Sequence, residues 1–161
     1  MAIIGVLIAG IFLTNALYTD SGLNVFMRSI FSTNTASTIE DERSYGEFTP
    51  VLSTDEGVNV AVSDGVMTFS GQGSVYVPCD GKITSLIQDE NGKYTVEITH
   101  SKNFKSILSG LDYAYADVLD DVYYNVPVGF IKNNVTMCFY GGNNQMIYDY
   151  QIVDNAIVWA V

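Results

Sequence analysis

Histidine and cysteine, the side chains that most often bind metals or act as nucleophiles, are scarce in this chain. His100 is the only histidine among 161 residues, and Cys79 and Cys138 are the only cysteines. The cysteines form no Cys-x-x-Cys pair, and a hydrolytic zinc site usually takes three protein ligands. A Ser-His-Asp arrangement could use only His100, and no Gly-x-Ser-x-Gly motif presents a serine. We therefore predict no catalytic residue, no bound metal and no cofactor.

The two cysteines have two interpretations. Cys79 and Cys138 could form one disulfide if the domain lies outside the cytoplasm, where thiols are oxidised. They could equally remain buried free thiols, because a free cysteine behaves as a small hydrophobic residue. The sequence leaves both interpretations open.

The overall charge is strongly negative. The chain has 7 Lys and Arg residues against 18 Asp and Glu residues, which gives a formal net charge of −11. Such a field repels phosphate groups, so nucleic acid is excluded as a partner. Hydrophobic residues make up 48% of the chain and aromatic residues 12%, which is typical of an ordered globular protein.

Four of the 11 tyrosines crowd one acidic stretch, DYAYADVLDDVYY, at residues 112–124. Tyrosine offers a large contact area at a low cost in side-chain entropy, so Tyr113, Tyr115, Tyr123 and Tyr124 could form a recognition surface. The alternative is that the four rings pack onto a sheet as ordinary strand residues. Their exposure in the structure distinguishes the two interpretations.

The start of the chain has the composition of a membrane segment. Residues 2–18 carry no charge, and their apolar length is at the lower end of what spans a bilayer. We predict a single-pass anchor helix with its extension over residues 1–31. A cleaved signal peptide is the alternative, but no basic residue precedes the apolar run. Residues 32–56, rich in Ser, Thr and charged side chains, predict a linker or stalk.

From residue 57 onward, short runs rich in Val, Ile, Tyr, Phe and Thr alternate with Gly, Asp and Asn. The run KYTVEIT places Tyr94, Val96 and Ile98 on one face, as a half-buried antiparallel strand requires. We therefore predict an all-β domain over residues 57–161, built as an antiparallel sandwich or flattened barrel. The runs begin at residues 58, 66, 74, 82, 93, 103, 127, 134, 145 and 156, and residues 111–119 are ambiguous.

Five short motifs follow one another along this domain: PCDGKI at residues 78–83, GKYTVEITH at 92–100, SILSGL at 106–111, VPVG at 126–129 and TMCF at 136–139. In their order and spacing they resemble the C-terminal part of lysostaphin-type (LytM-type, peptidase M23-like) zinc endopeptidase domains of bacterial cell walls. The resemblance implies the fold of that family, the duplicated hybrid motif.

The same resemblance implies that the family's zinc ligands are missing. The family holds zinc with two histidines and an aspartate, and a further histidine lies near the attacking water. Gly110 stands at the histidine of the family's Tyr-x-His-Leu motif, and Thr136 and Cys138 stand at the two histidines of its His-x-His motif. His100 corresponds to a strand-end histidine outside the metal site, and we expect it to be a structural, hydrogen-bonding residue.

These expectations combine into a catalytically inactive binding domain. A fold that has lost its metal ligands keeps a groove and strand edges that suit protein binding. Degenerate, helix-tethered members of the family resemble the sporulation membrane proteins of stages II and IV. That resemblance implies a membrane-anchored scaffold or regulator outside the cytoplasm, in cell-envelope or sporulation assembly. The implied partner is another membrane or envelope protein, and peptidoglycan is a further candidate.

Three alternatives remain. The first is a zinc-dependent peptidoglycan endopeptidase with atypical ligands. The second is a carrier domain of the biotinyl or lipoyl type, which would need a lysine within a Met-Lys-Met or Asp-Lys-Ala motif, and the chain has neither. The third is a structural envelope domain whose likeness to the family is accidental.

Overall fold

The structure, a computed structural model, describes residues 39–160, and this part of the chain consists of β-strands, turns and one 3₁₀ turn at Tyr45–Glu47. The prediction of an all-β, antiparallel domain is confirmed, since every ladder between the strands is antiparallel. The strands are β1 Val58–Ser63, β2 Val66–Gly71, β3 Gly73–Tyr76, β4 Gly81–Gln88, β5 Tyr94–Ser101, β6 Phe104–Leu111, β7 Tyr113–Ala114, β8 Asp121–Val122, β9 Pro127–Ile131, β10 Asn134–Gly141, β11 Tyr150–Val153 and β12 Ala156–Trp159.

One large sheet dominates the domain. Its seven strands lie in the order β1-β2-β10-β6-β5-β4-β8, so β10 inserts between two strands that precede it by more than twenty residues in the chain. Strands β3, β9 and β7 form a three-stranded sheet, and β11 and β12 form a hairpin. Residues of both smaller sheets belong to the same buried cluster as the inner face of the large sheet.

The two faces of the large sheet differ because side chains alternate along each strand. The inner face is apolar and fully buried, with Phe69, Val96, Leu108 and Met137 each at 0% exposure. The outer face is half-exposed and rich in hydroxyl groups. A row of directly paired residues crosses it from β2 through β10 and β6 to β5, namely Thr68, Thr136, Ser109 and Thr95.

An aromatic cluster joins the C-terminal hairpin to the large sheet. Trp159 on β12 contacts Phe104 and Phe139 at ring-centroid distances of 5.7 and 5.5 Å, both nearly perpendicular. Tyr150 on β11 lies 5.3 Å from Phe139 and donates a buried hydrogen bond to the carbonyl of Gly65. Edge-to-face rings of this kind stabilise beyond their buried area, so the hairpin is an integral part of the core.

The predicted linker of residues 32–56 is described from residue 39, and from there it packs on the domain instead of standing apart from it. Lys102 N donates to the carbonyl of Asp41, and the Ser101 hydroxyl donates to the carbonyl of Arg43. Trp159 Nε1 donates to the carbonyl of Phe48, and Leu52 is buried. The segment is held by isolated hydrogen bonds and single β-bridges, and not by a continuous strand ladder. Its sequence therefore shows no strand periodicity.

Most predicted strands occur where the sequence places them, with one difference. The run from residue 145 predicts a strand through residue 153, but only Tyr150–Val153 is strand. Met146 makes a single bridge to Tyr140, and Ile147 N donates to the carbonyl of Phe139. The chain uses these residues to cross from the large sheet to the C-terminal hairpin.

No helix within residues 39–160 is long and apolar enough to cross a membrane. The predicted anchor, residues 1–31 with its apolar run at 2–18, lies outside the described residues.

Candidate functional site

A cleft of about 590 Å³ opens at one end of the large sheet. Its floor is residues 78–80, in the connection from β3 to β4, together with the end of β5 at His100. One wall is the N-terminal segment, which contributes Arg43 and Phe48, and the other is the stretch after β8, which contributes Tyr123 and Tyr124. The cleft therefore joins four parts of the chain that are separated in sequence.

His100 is buried beside this cleft as a neutral side chain. Its Nδ1 lies 2.8 Å from the carbonyl oxygen of Asp80, and its Nε2 lies 2.9 Å from the Ser106 hydroxyl. A carbonyl can only accept, so Nδ1 carries the hydrogen and Nε2 accepts from Ser106. Burial lowers the pKa of His100 to about 4. Both ring nitrogens are thus occupied within the protein, as the structural interpretation of His100 expects.

The motif PCDGKI requires a glycine at position 81. A Cβ at this position would lie 2.7 Å from His100 Nδ1 and 2.9 Å from the carbonyl oxygen of Thr99. Real Cβ atoms do not approach other atoms this closely, so any side chain would displace the imidazole. The glycine of PCDGKI and the histidine of GKYTVEITH are therefore one packing unit.

Both cysteines are free thiols in this structure, so the disulfide that the sequence left open is not formed. Cys79 lies in the floor of the cleft, and burial raises the pKa of its thiol to about 12. Cys138 lies on the half-exposed outer face of the large sheet, paired with Ile107, and burial also raises its pKa. A raised pKa leaves little thiolate at neutral pH, so neither cysteine is an activated nucleophile.

The four tyrosines of the acidic stretch are about half exposed, and Tyr113 is also a strand residue on β7, with its ring 6.3 Å from that of Phe130 on β9. Tyr113, Tyr115, Tyr123 and Tyr124 have exposures of 51, 55, 52 and 45%. Tyr115 N donates to the carbonyl of Val128, so the two ends of residues 115–128 lie side by side and the segment forms one closed loop. Tyr123 and Tyr124 extend from this loop into the cleft wall.

Three further apolar residues of the same loop are exposed, and sequence reasoning did not select them. Val118, Leu119 and Val126 have exposures of 46, 54 and 48%. Leu119 also has a φ of +78°, which is unfavourable for a residue with a branched side chain. Hydrogen bonds to both backbone groups of Ile83 hold this turn in place. The sequence feature that could have identified these three residues is that they are apolar residues within an acidic stretch.

Gly110, Thr136 and Cys138 are the positions at which the motif resemblance expects zinc-binding histidines. Gly110 lies on β6, and Thr136 and Cys138 lie on the neighbouring β10. Thr136 and Cys138 share the outer face of β10, as the two histidines of a His-x-His motif would. Gly110 is different, because it has a φ of +104° and sits at a bulge where Tyr94 pairs with Leu111 and Thr95 with Ser109. The residue that lies directly opposite Thr136 is Ser109.

No group of three or more His, Cys, Asp or Glu side chains within residues 39–160 is placed to hold a metal ion. The hydroxyls of Thr136 and Ser109 are weak zinc ligands, and Cys138 would supply at most one thiolate where a hydrolytic zinc site takes three protein ligands. The residues present on the outer face therefore do not fit the zinc that the resemblance implies.

No family model matches the chain, and no curated protein matches it. Several solved structures do. A zinc-containing peptidase from Vibrio cholerae is 14% identical with a TM-score of 0.48, and the match covers 65% of this chain but only 39% of the peptidase. LytU is 16% identical with a TM-score of 0.45, over 56% of this chain and 78% of LytU.

The structure of the SpoIIQ–SpoIIIAH pore-forming complex is a third match, 16% identical with a TM-score of 0.46, over 60% of this chain and 76% of the matched chain. The chain is thus similar to a zinc peptidase, to LytU and to a chain of the SpoIIQ–SpoIIIAH complex, in agreement with the resemblance of its motifs. All three TM-scores are below 0.5, so the likeness establishes neither family membership nor a shared activity.

Proposed function

We propose that this chain is a catalytically inactive scaffold or regulator that binds another protein through the loop of residues 112–126. The observation that carries the proposal is the exposure of seven large apolar side chains within residues 113–126, six of them on the closed loop of residues 115–128. Isolated exposed apolar residues are ordinary, but a group on one loop beside a cleft marks an interaction site. The seven are Tyr113, Tyr115, Val118, Leu119, Tyr123, Tyr124 and Val126.

The backbone at Leu119 supports the same proposal. A left-handed conformation costs a residue with a side chain about 1–2 kcal/mol, and here that cost places an apolar group in solvent. The backbone of Leu119 is tied to β4, since its N–H donates to the carbonyl of Ile83 and its carbonyl accepts from Lys82 Nζ, while its side chain stays exposed. Strain of this kind is concentrated at functional sites.

The setting of the scaffold follows from other features of the sequence. We propose an anchor helix over residues 1–31, because residues 2–18 are uncharged and apolar, and a location of the domain outside the cytoplasm, which the motif resemblance supports. The motif resemblance supports a lysostaphin-type fold and a role in cell-envelope or sporulation assembly. The partner is then another membrane or envelope protein, and peptidoglycan is a second candidate.

Capture of partners from native membranes tests the proposal. The full chain and its Tyr115→Ser/Tyr123→Ser variant are recovered under mild detergent, and the bound proteins are quantified by mass spectrometry. A Tyr148→Ser/Ile87→Ser variant is the matched control, because both residues are 61% exposed and lie outside the loop. We expect the loop variant to lose a partner that the control retains. Equal capture by all three proteins contradicts the proposal.

Zinc content, measured on the same samples, tests the absence of catalysis. We expect well below one ion per chain, and no peptides released from purified cell-wall material. One zinc per chain together with peptide release would instead favour an endopeptidase with atypical ligands. The loop variant separates the two activities, since residues 115 and 123 lie away from the outer face of β10.

A further inference from the structure

Residues 112–126 form what we call the acidic tyrosine surface. The sequence of this range, DYAYADVLDDVYYNV, contains four aspartates and four tyrosines but no Lys, Arg or His. The range lies in a chain with a formal net charge of −11, so the potential around it is negative. A ligand of the surface must therefore satisfy aromatic rings and carboxylates together.

Two of the four aspartates have cationic partners, and two do not. Lys93 lies 2.7 Å from Asp112, and Lys82 lies 2.8 Å from Asp121. Asp117 and Asp120 are exposed and form no ion pair with any residue of the described part. They contact each other through two hydrogen bonds: the Asp117 N–H donates to a carboxylate oxygen of Asp120, and the Asp120 N–H donates to the carbonyl oxygen of Asp117. Two carboxylates of the loop are thus available to a cation from outside.

The aromatic rings show the same division. One ring of the surface already has a cation over it, since Lys132 Nζ lies 5.2 Å from the ring centroid of Tyr113. Elsewhere in the described residues, Arg43 lies over Phe48 and Lys105 over Tyr140, at 4.3 and 5.8 Å.

Among the described residues, no cation lies over Tyr115, Tyr123 or Tyr124. The three residues are about half exposed to solvent. The negative face of a tyrosine ring attracts Lys and Arg, so each exposed ring is a second type of cation site beside the carboxylates.

We propose that the acidic tyrosine surface binds a basic segment of the partner protein. Lys or Arg side chains of that segment lie over Tyr115, Tyr123 and Tyr124 and pair with Asp117 and Asp120, while their methylene groups cover Val118 and Leu119. This inference rests on the proposed function, because it names the chemistry of the partner that the loop binds. An apolar partner fits less well, since it would bury the two carboxylates without a counter-charge.

A synthetic probe tests the charge of the partner directly. A fluorescent 12-residue peptide of alternating Arg and Gly is titrated with the full chain in mild detergent, and binding is followed by fluorescence anisotropy. The same peptide with citrulline in place of Arg keeps the shape and hydrogen-bonding groups but has no charge. We expect the Arg peptide to bind at least about tenfold more tightly than the citrulline peptide.

Variants locate the binding on the surface. Asp117→Asn/Asp120→Asn removes two charges from the loop, and Glu56→Gln/Glu90→Gln removes two exposed charges elsewhere as the matched control. We expect the first variant to weaken Arg-peptide binding about five- to tenfold and the control less than about twofold. Equal effects of the two variants would show attraction to the net charge alone and would overturn the inference.

The rings need a substitution that keeps apolar area and removes only the π face. Tyr115→Leu/Tyr123→Leu does so, and we expect about a five- to tenfold loss of Arg-peptide binding. Unchanged binding would overturn the role of the rings.

The membrane capture experiment then separates this inference from the proposed function. If Tyr115→Ser/Tyr123→Ser abolishes capture but Asp117→Asn/Asp120→Asn and 0.5 M salt do not, the loop binds a protein that is not basic. In that case the inference fails and the proposed function stands. If neither variant affects capture, the proposed function fails as well.

Discussion

The state of His100 allows a direct test of the packing at the cleft. The chain has a single histidine, so its imidazole signals can be assigned without ambiguity in NMR spectra of the full protein. We expect the ring to titrate with a pKa of about 4 instead of 6.5, because burial disfavours its charged form. The ¹⁵N shifts should show hydrogen on Nδ1, since that atom faces the carbonyl oxygen of Asp80.

The same shift has a consequence for stability. The unfolded chain gains a proton on His100 as pH falls below 6.5, whereas the folded chain resists protonation down to about pH 4. The contribution of His100 is therefore fully present above pH 6.5 and is lost as pH falls between 6.5 and about 4. Between pH 7.5 and 4.5 the expected loss of unfolding free energy from this group is on the order of 2–3 kcal/mol.

Urea denaturation of the full chain and of a His100→Gln variant measures this loss. Carboxylates also titrate near pH 4.5, but they do so in both proteins, so the difference between the two pH dependences isolates the imidazole. We expect the native chain to lose on the order of 2–3 kcal/mol more than the variant. Parallel pH dependences, or an imidazole pKa near 6.5 in the NMR titration, would show that the ring is solvated and would refute the reasoning.

Three further predictions concern thiols, glycines and strain. Iodoacetamide at pH 8 should alkylate Cys138 well before Cys79, whose pKa is raised to about 12 by burial; peptide mass spectrometry that finds Cys79 modified first would contradict its burial. Gly81→Ala should lower the free energy of unfolding by at least about 2 kcal/mol, because its Cβ would meet the His100 ring. The control Gly46→Ala, whose Cβ would have no atom within 4 Å, should change the free energy of unfolding by less than about 0.5 kcal/mol. Equal shifts in melting temperature for the two variants would disprove this packing. Leu119→Gly should leave stability unchanged or raise it by up to about 1 kcal/mol while it weakens partner capture, and a large fall in melting temperature would show instead that Leu119 supports the fold.

The strands could be read from the sequence with good accuracy, because alternation and turn residues act locally. Val96 and Ile98 are buried while Thr95 and Glu97 are half-exposed, as the alternation of KYTVEIT predicts. Gly92 in the turn before this strand has a φ of +77°, which agrees with the hairpin that Asn91-Gly92 predicts.

The N-terminal segment was read less accurately. Residues 39–56 resemble a linker in composition, yet Phe48 packs 5.0 Å from Phe104 in the core, measured between ring centroids. A few well-placed anchors carry no periodic signal, so composition cannot reveal them.

For the candidate site as well, the sequence predicted some features and only the tertiary structure determined the others. The sequence identified the tyrosines of residues 112–124 by type and crowding, but their exposure depends on the closure of the loop at Tyr115 and Val128. The register between β6 and β10 likewise places Ser109, and not Gly110, opposite Thr136. A bulge shifts pairing by one residue and exchanges the two faces of a strand, and local sequence does not specify where it occurs.

The sequence by itself determined the features that depend on residue type and on short spacings along the chain. These features are the all-β class, the formal net charge of −11 and the scarcity of metal-binding side chains. Tertiary structure alone decided that β10 inserts between β2 and β6, that residues 39–56 wall a cleft and that His100 is neutral. Each of these depends on contacts between residues far apart in the chain, where solvent exclusion and pairing partners are set by the whole fold.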